Sequence, residues 1–335
     1  MTTISVLICT YNRPQKITEL VESLLPYGNE IVVVDSSDHP NIQLKEQQGV
    51  LYVRSIHKNQ PYQRILGSLF ATGDYLLYLD DDMELVDSTV FDQLYKIIAT
   101  KRATGYALSF KDKHTDTTLN AVPRSIFNRL KAIQQFKNWF TGNPNLTAGK
   151  LGLCGNRGKQ PSLFAPTEYL SGGAFLGQRE HLFEQFNYQL LDLFEQRMGM
   201  GEDALIGYGL HQSGTLYHVP TQLFWHNDQK DSSYSMDIDS YAKRVLFSRL
   251  YLSMERNRLS GKSIFFAKLH YQWYALWRLS GLLINFLLKR NQASKSVLKG
   301  SFKGWKAACA FRFEAGGKID DYWKMELAKN KEHGN

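Results

Sequence analysis

The chain has 335 residues, 43% hydrophobic and 13% aromatic, which suffices for one large or two modest packed domains and excludes a disordered chain. Cys9, Cys154 and Cys309 are scattered without a CxxC, which excludes a disulfide framework or a cysteine-based zinc site. The net charge of +8 is unevenly placed: residues 241–335 carry 19 Lys/Arg against 6 Asp/Glu, and residues 1–240 carry 21 against 26. An acidic body with a basic tail points to a catalytic unit joined to a surface that meets an anionic partner. The N-terminus lacks the basic-then-apolar pattern of a signal peptide, so a reducing, cytoplasmic setting is expected.

The first 110 residues alternate strand and helix. Ile4–Thr10 predicts a buried strand, with Asn12 as an N-cap and Pro14 in the first turn of a helix reaching Leu25. Residues 31–34, ending at Asp35, predict a second strand, and 51–53 a short third. Residues 62–71 read as helix, Gly73-Asp74 as a turn, 75–79 as a strand, and 86–99 as a helix with Ser88 near its start. This alternation argues for a mostly parallel, doubly wound sheet. No GxGxxG follows the first strand, which weighs against a dinucleotide fingerprint.

Residues 111–168 differ in character. Phe127, Leu130, Ile133, Phe136 and Phe140 recur near helical spacing beside Arg124, Arg129, Lys131 and Lys137, predicting a basic amphipathic helix. The Gly-, Asn- and Pro-rich stretch after it reads as a long lid or binding loop; its GNRGKQ fails as a phosphate-binding loop. Further on, Ser171-Gly172-Gly173 forms a small-residue turn within a strand-like segment, and Gly201-Glu202-Asp203 opens an apolar helix. LYHVP and then Trp225-His226 follow, and the chain reads as helical from Asp239. Residues 264–288 are the most apolar, but the longest charge-free run there is ten residues, against the roughly 20 a membrane span needs. Polar residues are spread around this helix in projection, so it is not a clean interfacial helix. Trp273, Trp277, Trp305 and Trp323 nonetheless lie among Lys and Arg, as suits a membrane surface.

The chemistry concentrates where strands end. Asp80, Asp81 and Asp82 follow the buried run YLLYL, at the edge of an α/β sheet where ligands bind. Three adjacent anions need counter-charge, and a divalent cation carrying phosphates supplies it. Tyr11 could stack on a base and Asp35 accept from its imino or amino proton, leaving ribose and a metal-bound diphosphate to the aspartates. Taken singly, Tyr11 could be packing, Asp35 an Asx-turn residue, and the aspartates a solvated turn. His226 is a candidate metal ligand, since imidazole binds Mn²⁺.

VLICTYNRP, IVVVDSS, the segment NQPYQRILGSLFATGDYLLYLDDDMEL, SGGAFLGQRE and GEDALIGYGL stand in an order and spacing that resembles the family 2 glycosyltransferases. The resemblance implies an α/β GT-A fold: a Rossmann-like, mostly parallel twisted sheet flanked by helices, here with a C-terminal helical extension. It divides the chain into a nucleotide-sugar-binding half (1–110), an insertion of basic helix and loop (111–168), an acceptor-binding and catalytic half (169–238), and a basic, aromatic-rich helical region (239–335). It implies nucleotide-sugar contacts from Thr10, Tyr11, Asn12, Arg13, Asp35, Arg64, Asp80 and Asp81, and acceptor or donor-sugar contacts from Gly172, Gly173 and Glu202. Metal binding falls to Asp82 and Asp80, with His226 beside them, and the catalytic base to Asp203. The implied reaction is inverting transfer of a sugar from a nucleotide-diphosphate sugar, a UDP-sugar by family habit, to an acceptor hydroxyl with Mn²⁺ or Mg²⁺. The expected acceptor is a glycan or lipid-linked sugar in surface polysaccharide or glycolipid assembly. The expected location is cytoplasmic, peripheral at the inner face of the cell membrane, with the C-terminal helices on an anionic surface and no nucleic acid partner. A nucleotidyl- or phosphotransferase on the same metal site, or a non-catalytic binding protein, are the alternatives. The family's ARNxG-like run is Gln63-Arg64-Ile65-Leu66-Gly67 here, keeping Arg64 but losing an amide at Ile65. The acceptor helix of processive members is missing, so transfer of a single sugar is expected.

Overall fold

The computed structural model describes residues 2–113, 146–227 and 237–313. Four strands pair in parallel in the order β3 (Val50–Arg54), β2 (Glu30–Asp35), β1 (Ile4–Thr10), β4 (Tyr75–Asp80). The near-continuous apolar runs of β1, β2 and β4 are buried on both faces. Ile4, Val6 and Ile8 of β1 pack with Ile17 and Val21 of α1 (Pro14–Leu24) and Leu94 of α4 (Val90–Thr100). Leu7 and Cys9, pointing the other way, pack with Tyr62, Ile65 and Leu66 of α3 (Gln60–Phe70). The short α2 (Ile42–Glu46) joins β2 to β3.

Beyond β4 the sheet is mixed. β8 (Ala174–Gln178) runs antiparallel to β4 and to β6 (Gly105–Asp112), β9 (Leu216–His226) parallel to β6, and β5 (Met83–Leu85) antiparallel to β9. β7 (Ala165–Pro166) pairs β9. The mostly parallel sheet expected from sequence therefore holds over the first four strands only. β9 is one 11-residue strand rather than separate short runs. Pro220 is tolerated because the register jumps there, from Leu108↔Val219 to Ser109↔Gln222, so its missing N–H costs no ladder bond.

Two local expectations change. The helix after β4 begins at Val90 rather than 86, because residues 83–85 are drawn into β5. Asn12 is not the N-cap of α1; it sits at φ 54°, a left-handed conformation Asn tolerates, and its side chain exchanges hydrogen bonds with Asp38. The predicted helix over 127–140 and Trp323 lie outside the described residues.

A third apolar core joins α5 (Leu191–Glu195) and α6 (Glu202–Ser213) to the C-terminal helices α7 (Ile238–Leu259), α8 (Ile264–Lys289) and α9 (Gln292–Ala310). Asp237 and Asn291 cap α7 and α9 by accepting from Ser240 and Ser294 backbone N–H groups. Gly300 and Gly304, four apart on one face of α9, let it close on α7. A Cβ at Gly300 would fall 2.1 Å from the Asp239 carbonyl oxygen, and one at Gly304 2.3 Å from that of Lys243. Alanine at Gly300 would gain about 1 kcal/mol of helix propensity, but forcing two backbones apart costs about 1–3 kcal/mol or more. Gly300→Ala is therefore expected to destabilise the chain, seen as a lower urea midpoint than wild type; an unchanged or higher midpoint would show that α9 is not seated so closely on α7.

Candidate active site

The carboxyl ends of β1, β2 and β4 form one edge. Gln63 of α3, buried, donates to the carbonyls of Thr10 (2.9 Å) and Val34 (3.0 Å) and to Ser36 Oγ (3.1 Å), tying the first two strand ends together. Asp35 is buried beside them. Its Oδ1 accepts from Ser37 N at 2.7 Å, and its Oδ2 from Tyr52 Oη and from Arg54 Nη1 at 3.0 Å. Tyr52 and Arg54, not anticipated from sequence, reach Asp35 because β3 pairs Arg54 opposite it. Tyr11 sits under Lys58, whose Nζ is 5.0 Å from the ring centroid.

Each aspartate of the triplet meets its own cation. Asp80 accepts from Gln60 and pairs with Arg64 Nη2 at 3.2 Å. Asp81, buried, accepts from Thr10 Oγ1 at 2.8 Å and Arg13 Nη1 at 2.7 Å. Asp82 Oδ2 lies 3.2 Å from Arg13 Nη1, and its Oδ1 lies 3.5 Å from His226 Nε2. The counter-charge expected from a bound cation is thus supplied in part by protein groups, and Thr10 and Arg13 face the triplet. Burial pushes the Asp80 carboxyl up to about 6, against the pull of Arg64. Burial also raises Asp82, but the nearby His226 and Arg13 more than offset it and leave it below the ordinary value.

His226 arrives from 144 positions away through one ladder: β5 pairs with β9 so that Met83 lies opposite His226, and Asn227 N donates to the Asp82 carbonyl at 2.8 Å. His226 Nδ1 faces Asp112 Oδ1 at 2.9 Å, which orients Nε2 toward Asp82. Asp82 Oδ1 is buried without a hydrogen-bond partner. That orphaned oxygen beside an imidazole nitrogen fits a Mn²⁺ or Mg²⁺ ion that takes one or two protein ligands and its remaining ligands from phosphate and water. Among the described residues no group of three or more His, Cys, Asp or Glu is arranged to hold a metal. Asp80, engaged by Gln60 and Arg64, is the member of the expected set turned to other partners.

Across the crevice, Gly201 at φ 86° turns the chain into α6, whose first residues are Glu202 and Asp203. The N-terminal end of a helix favours these acids. Arg64 Nη1 lies 3.3 Å from Glu202 Oε1, so one buried guanidinium spans Asp80 and Glu202. Burial and the adjoining Asp203 raise the Glu202 carboxyl. Asp203 Oδ1 accepts from Ala204 N at 2.9 Å and pairs with Arg157 Nη2 at 2.5 Å. Its Oδ2 faces Gly172, where a Cβ would come within 3.3 Å. Gly173 serves packing, since a Cβ there would meet Met83 Cε at 2.3 Å.

Arg157 belongs to the GNRGKQ stretch that sequence reasoning set aside. Its only signal was the unneutralised Glu202-Asp203 pair. The C-terminal helices hold its loop: Arg249 Nη1 donates to the Gly155 carbonyl at 2.6 Å and Arg256 Nε to that of Leu151 at 2.9 Å. Tyr251 Oη exchanges hydrogen bonds with the Met200 backbone just before Glu202.

The edge of an open α/β sheet here gathers a carboxylate–imidazole pair and an opposed carboxylate, the place where ligands bind in such sheets. Residues 5–159 match the family model described as Glycosyl transferase family 2, and the mixed sheet flanked by helices is consistent with the GT-A fold. Similar solved structures include TarS of S. aureus, at 16% identity and TM-score 0.48, covering 77% of this chain and 42% of that one. They also include TarS 1–349 in complex with UDP-GlcNAc, at 13% and 0.46, covering 93% and 94%. A third is the mannosyltransferase PcManGT of Pyrobaculum calidifontis in complex with GDP-Man and Mn²⁺, at 14% and 0.46, covering 97% and 79%. The chain thus spans less than half of the longer TarS chain. No curated protein matches it significantly.

A Mn²⁺ bound at Asp82 and His226 would have to displace the imidazole proton, which the neighbouring Asp82 and Asp112 carboxylates hold, against burial, up to about 9. Mn²⁺ affinity is therefore expected to climb by up to about tenfold per unit between about pH 7 and pH 9, and to be weaker and flatter in His226→Ala. Calorimetric titration at several pH values checks this; equal slopes in both proteins would remove His226 from the ligand set.

Proposed function

We propose that the chain transfers a single sugar from a nucleoside-diphosphate sugar, of the UDP class, to an acceptor hydroxyl by one inverting displacement that depends on a divalent cation. The observation that carries this reading is the Arg64 bridge, which sets the donor-side carboxylate Asp80 and the Glu202-Asp203 pair around one crevice. Tyr11 offers a face to the base, and Asp35 Oδ1, with one protein donor, keeps a lone pair for a base N–H. Bound at Asp82 with His226 beside it, Mn²⁺ or Mg²⁺ would stabilise charge on the departing diphosphate. Arg13 and Arg64 hold the aspartates in place around that charge. Asp203 takes the acceptor proton on Oδ2, the oxygen that faces Gly172, while Arg157 fixes Oδ1. The lack of an enzyme nucleophile in the scheme makes the outcome inversion. The acceptor we infer is a glycan or lipid-linked sugar in surface polysaccharide or glycolipid assembly at the cytoplasmic face of a membrane.

A thermal-shift panel of UDP-, GDP-, dTDP- and CMP-sugars with and without Mn²⁺ should show metal-dependent stabilisation by one nucleotide class. Silence across the panel would refute the donor assignment. With that donor, Asp203→Asn is expected to bind as wild type and to lose about 10²–10⁴ in turnover; turnover near wild type would remove Asp203 as the base.

A further inference from the structure

The outward side of α8 carries an apolar stripe along its length, with the exposed Lys268 and Ser280 beside it. Phe265, Leu269, Trp273, Leu276, Leu283 and Leu287 are exposed, Phe265 by 69% and Leu287 by 56%, and their spacing places them on one face. Its inner side buries Ala267, Tyr271, Tyr274 and Ala275 in the core it shares with α7 and α9. The helix is therefore apolar on its outward side as well as on its packed one, unlike a helix that faces water. With 26 residues, α8 presents this face over about 39 Å. A contiguous apolar surface of this extent marks an interaction site.

The charge around the face selects its partner. Residues 256–313 contain 12 Lys/Arg and no Asp/Glu. Trp305 Nε1 donates to Gln272 Oε1 at 2.8 Å, which brings α9 alongside the face with Phe302, exposed, and Lys295, Lys299 and Lys306. A second copy docked here would oppose two cationic layers, whereas an anionic lipid surface complements both the apolar stripe and its rim. Among the described residues no helix is long and apolar enough to cross a membrane.

We propose that α8 lies in the plane of an anionic membrane, its outward face in the headgroup–acyl boundary and the lysines of α9 over the headgroups. This surface goes beyond the catalytic reading and does not rest on it. Because α7 contacts α8 and also holds the Arg157 loop, the docking surface and the crevice share one helical layer.

The test uses the full chain with vesicles of phosphatidylcholine alone or with phosphatidylglycerol, at low and high salt, read by co-sedimentation and tryptophan emission. Wild type should bind the anionic vesicles with a blue-shifted emission, and the neutral ones about tenfold less. Leu276→Glu with Leu283→Glu should reduce anionic binding at least about tenfold, while circular dichroism and the thermal midpoint stay as in wild type, because both side chains are exposed. Lys295→Glu with Lys299→Glu should reduce anionic binding and flatten its salt dependence. Wild type that ignores anionic vesicles and sediments as a dimer would overturn the proposal and assign the face to a second copy. A monomer that ignores them would overturn it too, leaving the face to the chain's own residues 314–335. Undiminished binding by the folded Leu276/Leu283 variant would equally contradict it.

Discussion

The buried guanidinium of Arg64 is the interaction on which the site depends. It lies 3.2 Å from Asp80 and 3.3 Å from Glu202, two carboxylates 122 positions apart that enter the crevice from opposite halves of the domain. Burying an ion costs several kcal/mol that only close pairing and hydrogen bonding offset, so neither carboxylate would be tolerated there without it. Arg64 is positioned in turn by α3, between the Phe175 ring 5.3 Å away and the Tyr78 hydroxyl, which donates to its carbonyl at 3.3 Å. Two strands of the sheet thereby set the place of a single cation, and that cation sets the spacing of the acids.

The same logic extends outward. Arg13 neutralises Asp81 and part of Asp82, Arg157 neutralises Asp203, and Arg54 neutralises Asp35. Each of these acids is held by an arginine from outside its own element, with Arg13 and Arg64 each serving two. Arg157 is held from behind by Arg249 and Arg256, through hydrogen bonds to carbonyls of its loop. The C-terminal helices therefore help to build the candidate site even though they lie outside the matched family segment. Their outer face, turned apolar side out, gives the same layer a second role.

Much of the donor half was legible in sequence because its information is local. β1, β2 and β4 are apolar runs that end in their functional residues, so a strand and its site are read together. What escaped is non-local. Tyr52 and Arg54 matter only through the β2–β3 register, and His226 gains its place through the β5–β9 and β6–β9 ladders. Arg157 stands in a loop without periodicity, where only its partner reveals its role. The polar residues of α8 looked scattered because projection alone does not say which side packs. Once α7 and α9 cover Ala267, Tyr271, Tyr274 and Ala275, the exposed side keeps an apolar stripe with Lys268 and Ser280 beside it.

If Arg64 is what permits two half-buried carboxylates to coexist, its removal must make stability strongly pH-dependent. The direct measurement is the urea unfolding free energy of Arg64→Met against wild type from about pH 8 to about pH 5, a window that spans the raised carboxyl of Asp80, about 6 with Arg64 still in place. Without the guanidinium, the folded-state values of Asp80 and Glu202 rise further above their unfolded ones, so stability is retained at low pH and lost as pH rises through those values. The expected result is a deficit of about 3–5 kcal/mol at pH 8 that shrinks as the pH falls and the carboxyls take up protons. A small deficit, or one that does not change with pH, would contradict the claim.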